Sequence, residues 1–375
     1  MSNITNNIPT TNEDWNFLTS FLPANWQDLA KEKNAVAKRL FAFKSIDSML
    51  RGLLLHIGKG YSLRETSARL KTANIANISD VGILKALRRS EGWLQELCYK
   101  LYFEQGGVAL PNNNIKKNMR LIDGSIVSES GKTGSQWRIN YSLSLPNLEC
   151  DYFDLTSSKG KGNGESLVRY PVNPGDCLIA DRGYSRVKDI LYTKSMGADV
   201  IVRVNQQILP LYQEDGSRFK LLENLKTLDK TGETAEWTVI VKNDEGELVK
   251  GRICAIRKNS EAIKLAQKKA TRKSSINNRI MKPDTLEYAK YITIFTTLSE
   301  DEYSTKEILD WYRVRWQIEL AFKRLKSIAG LGHLPKYDPQ SSRAWLYGKL
   351  LIGLLAEKII RYSKTISPWG YHLPT

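Results

Sequence analysis

The segment from Met119 to Asn205 constrains the fold more than any other. In "MRLIDGSIVS", "WRINYSLSL" and "ECDYFDLTS" apolar and polar residues alternate, and Gly-, Ser- or Pro-containing turns separate the runs. A period of two is a strand pattern, so these runs predict an antiparallel meander. "GDCLIADRGY" is a short apolar run ending in a turn, which suits a buried strand. "SRVKDILYTKSMG" predicts a helix with Gly197 at its C-terminal cap, and "ADVIVRVN" another buried strand. Three strands followed by strand, helix and strand imply one mixed sheet in an α/β fold.

The flanks divide the rest of the chain. Residues 1–115 predict helices, with an apolar period close to 3.6 from Asn34 to Gly58. In "SLRETSARL", Ser62 and Glu65 suit a capping box, and Ser79 opens a second helix after "KTANIANI". Two short capped helices so joined match a helix-turn-helix or an ordinary helical bundle. In the first case Lys71, Lys85, Arg88 and Arg89 face phosphates. Residues 116–206 hold the sheet pattern above. Residues 207–285 predict an insertion: strands "AEWTVIVKND" and "LVKGRICAIRK", then the basic helical stretch "SEAIKLAQKKATRKSSINNRIMK". In 286–340, "YITIFTTL" returns to strand and Ser304 opens the helix that carries Glu319. In 341–375 an apolar helix, about Ser342 to Tyr362, either closes the monomer's core or forms an interface between copies.

Charge narrows the partners. The 375 residues carry 56 Lys+Arg against 40 Asp+Glu, a formal net charge of +16. That excess favours nucleic acid or an anionic membrane. The most apolar stretch, Leu350–Ala356, is interrupted by Glu357 and Lys358, short of the roughly 20 residues a membrane span needs. No basic and apolar leader opens the chain, so no signal peptide is expected. Cys98, Cys150, Cys177 and Cys254 form no CxxC pair and suit buried thiols in a reducing cytosol. His56, His333 and His372 are scattered, and no GxSxG elbow is present, which argues against a zinc site and a Ser-His-Asp triad. "SSKGKGNGES" (157–166) is Gly-rich but lacks the ending of a nucleotide-binding loop, so it predicts a flexible turn near the active site and no nucleotide cofactor.

Three carboxylates stand where they are costly. Asp123 interrupts the apolar strand "MRLIDGSI", and Asp181 ends "CLIADRGY". An ionised carboxylate at an apolar strand's edge must be paired or bound to metal, unless it is a turn residue. Glu319 lies among Arg313, Arg315, Lys323, Arg324 and Lys326. On one continuous helix, Tyr312, Arg315, Glu319 and Lys326 fall within a stripe of roughly 60°. An apolar stripe through Trp311, Val314, Ile318, Ala321, Leu325 and Ile328 runs beside it. The plainer reading is a solvated helix with Arg315–Glu319 and Glu319–Lys323 pairs.

Together "LIDGS", "IADRGY" and the Tyr-x2-Arg-x3-Glu-x6-Lys pattern of "YRVRWQIELAFKRLK" resemble the three signature regions of the DDE transposases of the IS4 insertion-sequence group, the last being the YREK signature. The likeness spans roughly Met119 to Ile328. It implies a ribonuclease-H-like mixed-sheet core with a β-rich insertion, preceded by a helical DNA-binding domain. It implies that Asp123, Asp181 and Glu319 hold two Mg²⁺ ions, with Mn²⁺ a substitute and Asp123 bridging. The ions would serve an in-line phosphoryl displacement that cuts DNA at the element's terminal inverted repeats and joins the 3′ ends to a target. Tyr312, Arg315 and Lys326 would contact phosphates beside the transposon end, and Lys323 lies on the same basic helix. Arg182 either joins them or pairs with Asp181. Trp237, by likeness to members with a hairpin intermediate, either takes up a flipped base or belongs to the core. Lys268, Lys269 and Arg272 form a DNA clamp or a solvated face. The implied partners are double-stranded DNA and a second copy in a synaptic complex, in the bacterial cytoplasm at the nucleoid. The alternatives are a catalytically silent DNA-binding descendant, another ribonuclease-H-like nuclease, or a glycosidase using paired carboxylates. The last gives no reason for the +16 charge.

Overall fold

The computed structural model describes residues 12–36, 42–104, 117–128, 136–145, 149–160, 162–276, 278, 280, 283–327, 330, 334 and 338–364. The expected boundary near residue 115, His333 and His372 lie outside them, as do Ile328 and the side chain of Leu325. The helices are α1 (Asn12–Thr19), α2 (Trp26–Glu32), α3 (Ile46–Lys59), α4 (Leu63–Thr72), α5 (Asp80–Arg89), α6 (Glu91–Glu104), α7 (Val187–Ser195), α8 (Leu221–Leu225), α9 (Ser260–Ile276), α10 (Pro283–Tyr288), α11 (Thr305–Val314), α12 (Trp316–Ser327) and α13 (Pro339–Lys364). The strands are β1 (Asn118–Ser128), β2 (Gln136–Ser144), β3 (Glu149–Ser157), β4 (Asp176–Ala180), β5 (Asp199–Arg203), β6 (Thr234–Lys242), β7 (Leu248–Arg257) and β8 (Tyr291–Thr296). Two compact units result, one of residues 1–108, 126–137 and 321–375, the other of 109–125 and 138–320.

In the first unit, α13 packs on α3, α5 and α6. It buries Trp345, Leu346, Leu350, Leu351, Leu354 and Leu355, which recur at helical spacing. Gly348 permits the approach to α3, since a Cβ there would lie 2.4 Å from Ile57 Cδ1. The helical pattern over Asn34–Gly58 is realised only from Ile46. Asn34 takes a left-handed φ of 54° just past the end of α2, and Ser45 starts α3 with a reciprocal Ser45–Ser48 capping box. At α4 only half of the expected box forms. Ser62 Oγ accepts the Glu65 amide at 3.2 Å, while the Glu65 carboxylate turns to Arg69 at 2.9 Å.

The second unit is built on an eight-stranded sheet of order β3-β2-β1-β4-β5-β8-β7-β6. β1 pairs with β4, and β4 with β5, in parallel. β8 is antiparallel to both β5 and β7. The central strands are continuous apolar runs because both faces are covered: β4 is buried throughout, and Val200, Ile201 and Val202 of β5 are fully buried. The hairpin β6–β7, drawn from residues 207–285, continues this same sheet through β8. α9 buries none of its residues. All four cysteines are buried thiols, and no described helix is long and apolar enough to cross a membrane.

Candidate active site

Parallel pairing brings the first two carboxylates side by side. Ile122 of β1 is in register with Ala180 of β4, and Ala180 with Val202 of β5. The next position on each strand is Asp123, Asp181 and Arg203, so the three stand in one row where β1, β4 and β5 turn from apolar to polar. Carboxyl ends of parallel strands are where open α/β sheets place their ligands. Asp181 leads into a 3-10 turn, Arg182–Tyr184, which ends β4 and leaves the carboxylate beyond the sheet.

Asp123 is held mostly out of water. Its Oδ1 accepts the Gly124 amide at 2.8 Å. Burial, aided by the charges of Glu165 and Asp181, pushes its carboxyl up to about 6 against the pull of the Gly124 N–H and Arg315. Tyr170 Oη donates to the Asp123 carbonyl at 2.9 Å and lies 3.3 Å from Tyr184 Oη, which steadies the backbone at that point. Asp181 accepts a hydrogen bond from Tyr312 Oη at 3.2 Å. Burial first, and then the Asp181 charge, push the Tyr312 phenol upward, so it stays a donor at neutral pH.

Arg315 links this pair to the third acid. Its guanidinium bonds Glu319 Oε1 and lies 5.6 Å from the Tyr312 ring centroid. Burial works against its charge, but Tyr312, Glu319 and Asp181 outweigh that and raise its affinity for the proton. Its side chain is 13% exposed and that of Glu319 58%, so the cation is tucked in and the carboxylate stands out. The helix expected to run unbroken through these residues is two helices. Arg315 N–H bonds the Tyr312 carbonyl at 3.1 Å, and Ile318 N–H the Arg315 carbonyl at 3.1 Å. These tighter i→i+3 bonds end α11 and open α12 at Arg315. Ile318 stays buried, as the apolar stripe requires.

Among the described residues no group of three or more His, Cys, Asp or Glu side chains is close enough to hold a metal ion. The donors nevertheless fit a hard divalent cation. Asp123 and Asp181 offer oxygens only, and burial makes the Asp123 charge costly without a cation. Glu319 is tied to an arginine whose charge also acts on Asp123 and Asp181. The Nε of that arginine is buried without a hydrogen-bond partner, and its ion pair is with Glu319.

The remaining expected residues lie in varied settings. Arg182, Lys323 and Lys326 are exposed. So are Lys268, Lys269 and Arg272 on α9. Trp237 of β6 is opposite Ile253, partly buried against the core and 6.2 Å from the Phe219 ring. Arg88 is bound to Asp338, Nε to Oδ2 at 2.6 Å, with its side chain still 39% exposed, while Arg89 is exposed. Sequence reasoning missed Glu165, which acts on Asp123 and pairs with Arg138 at 3.1 Å. It sits in the stretch taken as a flexible turn. It also missed Arg203, although an arginine closing a buried strand is the same signal that marked Asp181.

Asp123 gives a pH-dependent prediction. Its folded-state value lies above the ordinary carboxylate value of about 4, so ionising it costs the fold. That cost is absent below about 4 and complete above about 6. In protein kept free of divalent ions, Asp123→Asn should therefore be more stable than wild type at neutral pH by about 1–3 kcal/mol. Thermal unfolding measured across pH should show the gap close on acidification; an equal gap at all pH values would refute the assignment.

A family model described as a transposase DDE domain matches residues 164–355, a span that holds Asp181 and Glu319. The chain is 30% identical over 365 residues to the transposase for insertion sequence element IS421 of Escherichia coli, covering 96% of this chain and 97% of that one. It is 23% identical over 218 residues to the transposase for insertion sequence element IS231F of Bacillus thuringiensis subsp. israelensis, covering 53% of this chain and 45% of the relative. With its Asp-Gly motif within β1, its Asp-Arg-Gly motif after β4 and its Tyr312–Arg315–Glu319–Lys326 pattern, the chain belongs to the IS4 group of DDE transposases.

Proposed function

We propose that Asp123, Asp181 and Glu319 hold two Mg²⁺ ions, with Mn²⁺ able to replace them, for cutting the ends of an insertion sequence and joining its 3′ ends to target DNA. The observation that carries this reading is Asp123 and Asp181, each next after the registered pair Ile122–Ala180, with Asp181 joined through Tyr312 and Arg315 to Glu319. Bound there, the ions would activate a water or a 3′-hydroxyl and stabilise the departing 3′ oxygen. The chain's own groups do the rest. Asp123 on β1 and Asp181 just past the end of β4 would supply two ligands, Tyr312 orients Asp181, and Arg315, bonded to Glu319, would be placed to meet a phosphate oxygen if Glu319 held a cation instead. Lys326 and Lys323 add charge along α12, and Arg182 adds it beside Asp181.

Around this core we assign residues 1–115 to binding the terminal inverted repeats, with α4 and α5 as the helix-turn-helix and Lys71, Lys85 and Arg89 toward phosphates. Residues 116–206 and 286–340 make a ribonuclease-H-like core, and 207–285 an insertion whose α9 lays Lys268, Lys269 and Arg272 along DNA. Trp237 belongs to the packing of that insertion. Two copies act together on paired ends, in the bacterial cytoplasm. The test is incubation of the purified chain with duplex DNA bearing its element's own ends. Strand breaks at the element boundary that require Mg²⁺ or Mn²⁺ are expected; breaks that persist in chelator would sink the metal assignment.

A further inference from the structure

One buried arginine, away from the carboxylates, holds the segment that delivers Tyr312. Arg252 lies on β7, opposite Thr238 of β6 and opposite Thr296, the last residue of β8. It is 5% exposed. Gly251 before it lets β8 come close, since a Cβ there would lie 2.5 Å from Phe295 Cζ and 2.7 Å from the Thr296 carbonyl oxygen. From this place the Arg252 guanidinium bonds three backbone carbonyls of the segment that joins β8 to α11. Its Nε donates to Leu298 at 2.9 Å, and its Nη2 donates to Ser299 at 3.0 Å and to Tyr303. Its Nη1 donates to Glu236 Oε2 of β6 at 2.7 Å. The same Glu236 oxygen accepts from the hydroxyl of Thr305, the first residue of α11.

These bonds fix what packing alone leaves free. α11 packs on the sheet with Ile308 and Leu309 buried, and apolar contact is non-directional. Its capping box of Ser304 and Glu307 satisfies the helix start from within the helix. Neither sets where α11 sits along the sheet. The bonds from Arg252 and from Thr305 do, because each requires a length and an angle. Tyr312 lies seven residues beyond Thr305, about 10 Å along the helix axis, and donates to Asp181 at 3.2 Å. α11 ends at Arg315, which bonds Glu319. A shift at the anchored start is carried along the helix to this hydroxyl and this guanidinium.

We infer that Arg252, with Glu236, is a positioning residue for strand cutting: it sets the start of α11 so that Tyr312 meets Asp181 and Arg315 meets Glu319. The effect on cutting rests on the catalytic reading above, whereas the placement rests on the bonds of Arg252. The hairpin β6–β7, drawn from residues 207–285, is then part of the catalytic framework as well as of the sheet.

The test uses the full chain with Arg252→Lys, Glu236→Gln, Glu236→Ala and Thr305→Val, and with Lys250→Gln as a control on the same strand, its side chain 65% exposed. Lysine keeps the charge but cannot serve three carbonyls and Glu236 at once. On duplex DNA bearing the element's ends, Arg252→Lys should lower the cutting rate of the preformed complex roughly 10- to 100-fold, as an ångström-scale displacement does, with end binding within about two-fold of wild type. Glu236→Gln keeps an acceptor for both donors, so it should retain most of the rate that Glu236→Ala loses. Adding Tyr312→Phe to Arg252→Lys should cost less than Tyr312→Phe costs alone, because the bond it removes is already displaced. Placement is read without cutting from fluorine spectra of chain labelled with fluorotyrosine, the Tyr312 resonance being the one absent from Tyr312→Phe. That resonance should move in Arg252→Lys and stay in Lys250→Gln. If Arg252→Lys does not fold, Thr305→Val, which removes one bond at the start of α11, carries the same measurements. An unmoved Tyr312 resonance, cutting and binding that fall together, or losses that simply add would overturn the inference, Arg252 then serving stability alone. A resonance that moves in a chain whose wild type cuts no DNA upholds the placement and overturns only the catalytic reading.

Discussion

Asp181→Ala, Asp123→Ala and Glu319→Ala are each expected to reduce strand cutting at the element's ends by roughly 10³-fold or more while leaving end binding within a few-fold of wild type. The size follows from losing a ligand to a cation that stabilises charge on both reacting oxygens, an effect of several kcal/mol. Binding should survive because the cations proposed to grip DNA are separate groups, exposed along α9 and α12. The three substitutions should differ in stability. Asp123 is held out of water at a cost, so its removal should not weaken the fold at neutral pH. Asp181→Ala takes the acceptor from Tyr312 Oη. Glu319→Ala leaves Arg315, only 13% exposed, without its carboxylate. Tyr312→Phe removes the Tyr312 hydrogen bond to the Asp181 carboxylate and keeps the carboxylate, so it should cut at a rate between wild type and Asp181→Ala. Gel assays of cutting and binding on the same end-bearing duplex decide this. Cutting that survives Asp181→Ala, or binding lost in step with cutting, would remove these acids from the chemistry.

The sequence carried the sheet because its pattern is local. Alternation in "WRINYSLSL" and the unbroken apolar run in "CLIAD" report which faces are covered, and both segments are strands. Asp123 and Asp181 were legible for the same reason, as carboxylates set in apolar runs. The break at Arg315 was not. "WYRVRWQIEL" has no Gly or Pro, so helical propensity alone runs straight through it, and only the i→i+3 bonds around Arg315 reveal two helices. Partners distant in sequence were equally hidden. Arg88 looked like a phosphate contact on a basic helix, yet Asp338 meets it from 250 positions away. Arg203 and Lys258 lie toward the same end of one sheet only through the order β5-β8-β7, which no local pattern encodes. The 30% identity over nearly the whole chain supports the group assignment independently of these details.

Arg120→Leu should lower stability by about 3–5 kcal/mol, the largest effect expected of any single substitution outside the active site. Arg120 is 3% exposed and lies on β1, three residues before Asp123. Its Nε bonds Asp151, and its Nη1 bonds Asp176 at 2.9 Å and the Pro171 carbonyl at 2.6 Å. Asp176 also accepts from Asn118 Nδ2 at 2.8 Å and the Asn173 amide at 3.0 Å. Removing the guanidinium strands two buried carboxylates that keep only neutral donors. The Asp151 carboxyl is already raised by burial despite Arg120, and without the arginine it should rise further. A raised acid binds more protons folded than unfolded, so the variant's deficit should widen as pH rises from about 4 to neutrality. Replacing the charges together tests the cause. Adding Asp151→Asn and Asp176→Asn to Arg120→Leu should recover much of the loss, because neutral amides cost less to bury than unpaired charges. Urea unfolding of the single and triple variants at two pH values measures both effects. A deficit below about 1 kcal/mol, or a triple variant no better than Arg120→Leu, would show that this network does not hold β1, and with it Asp123, in the sheet.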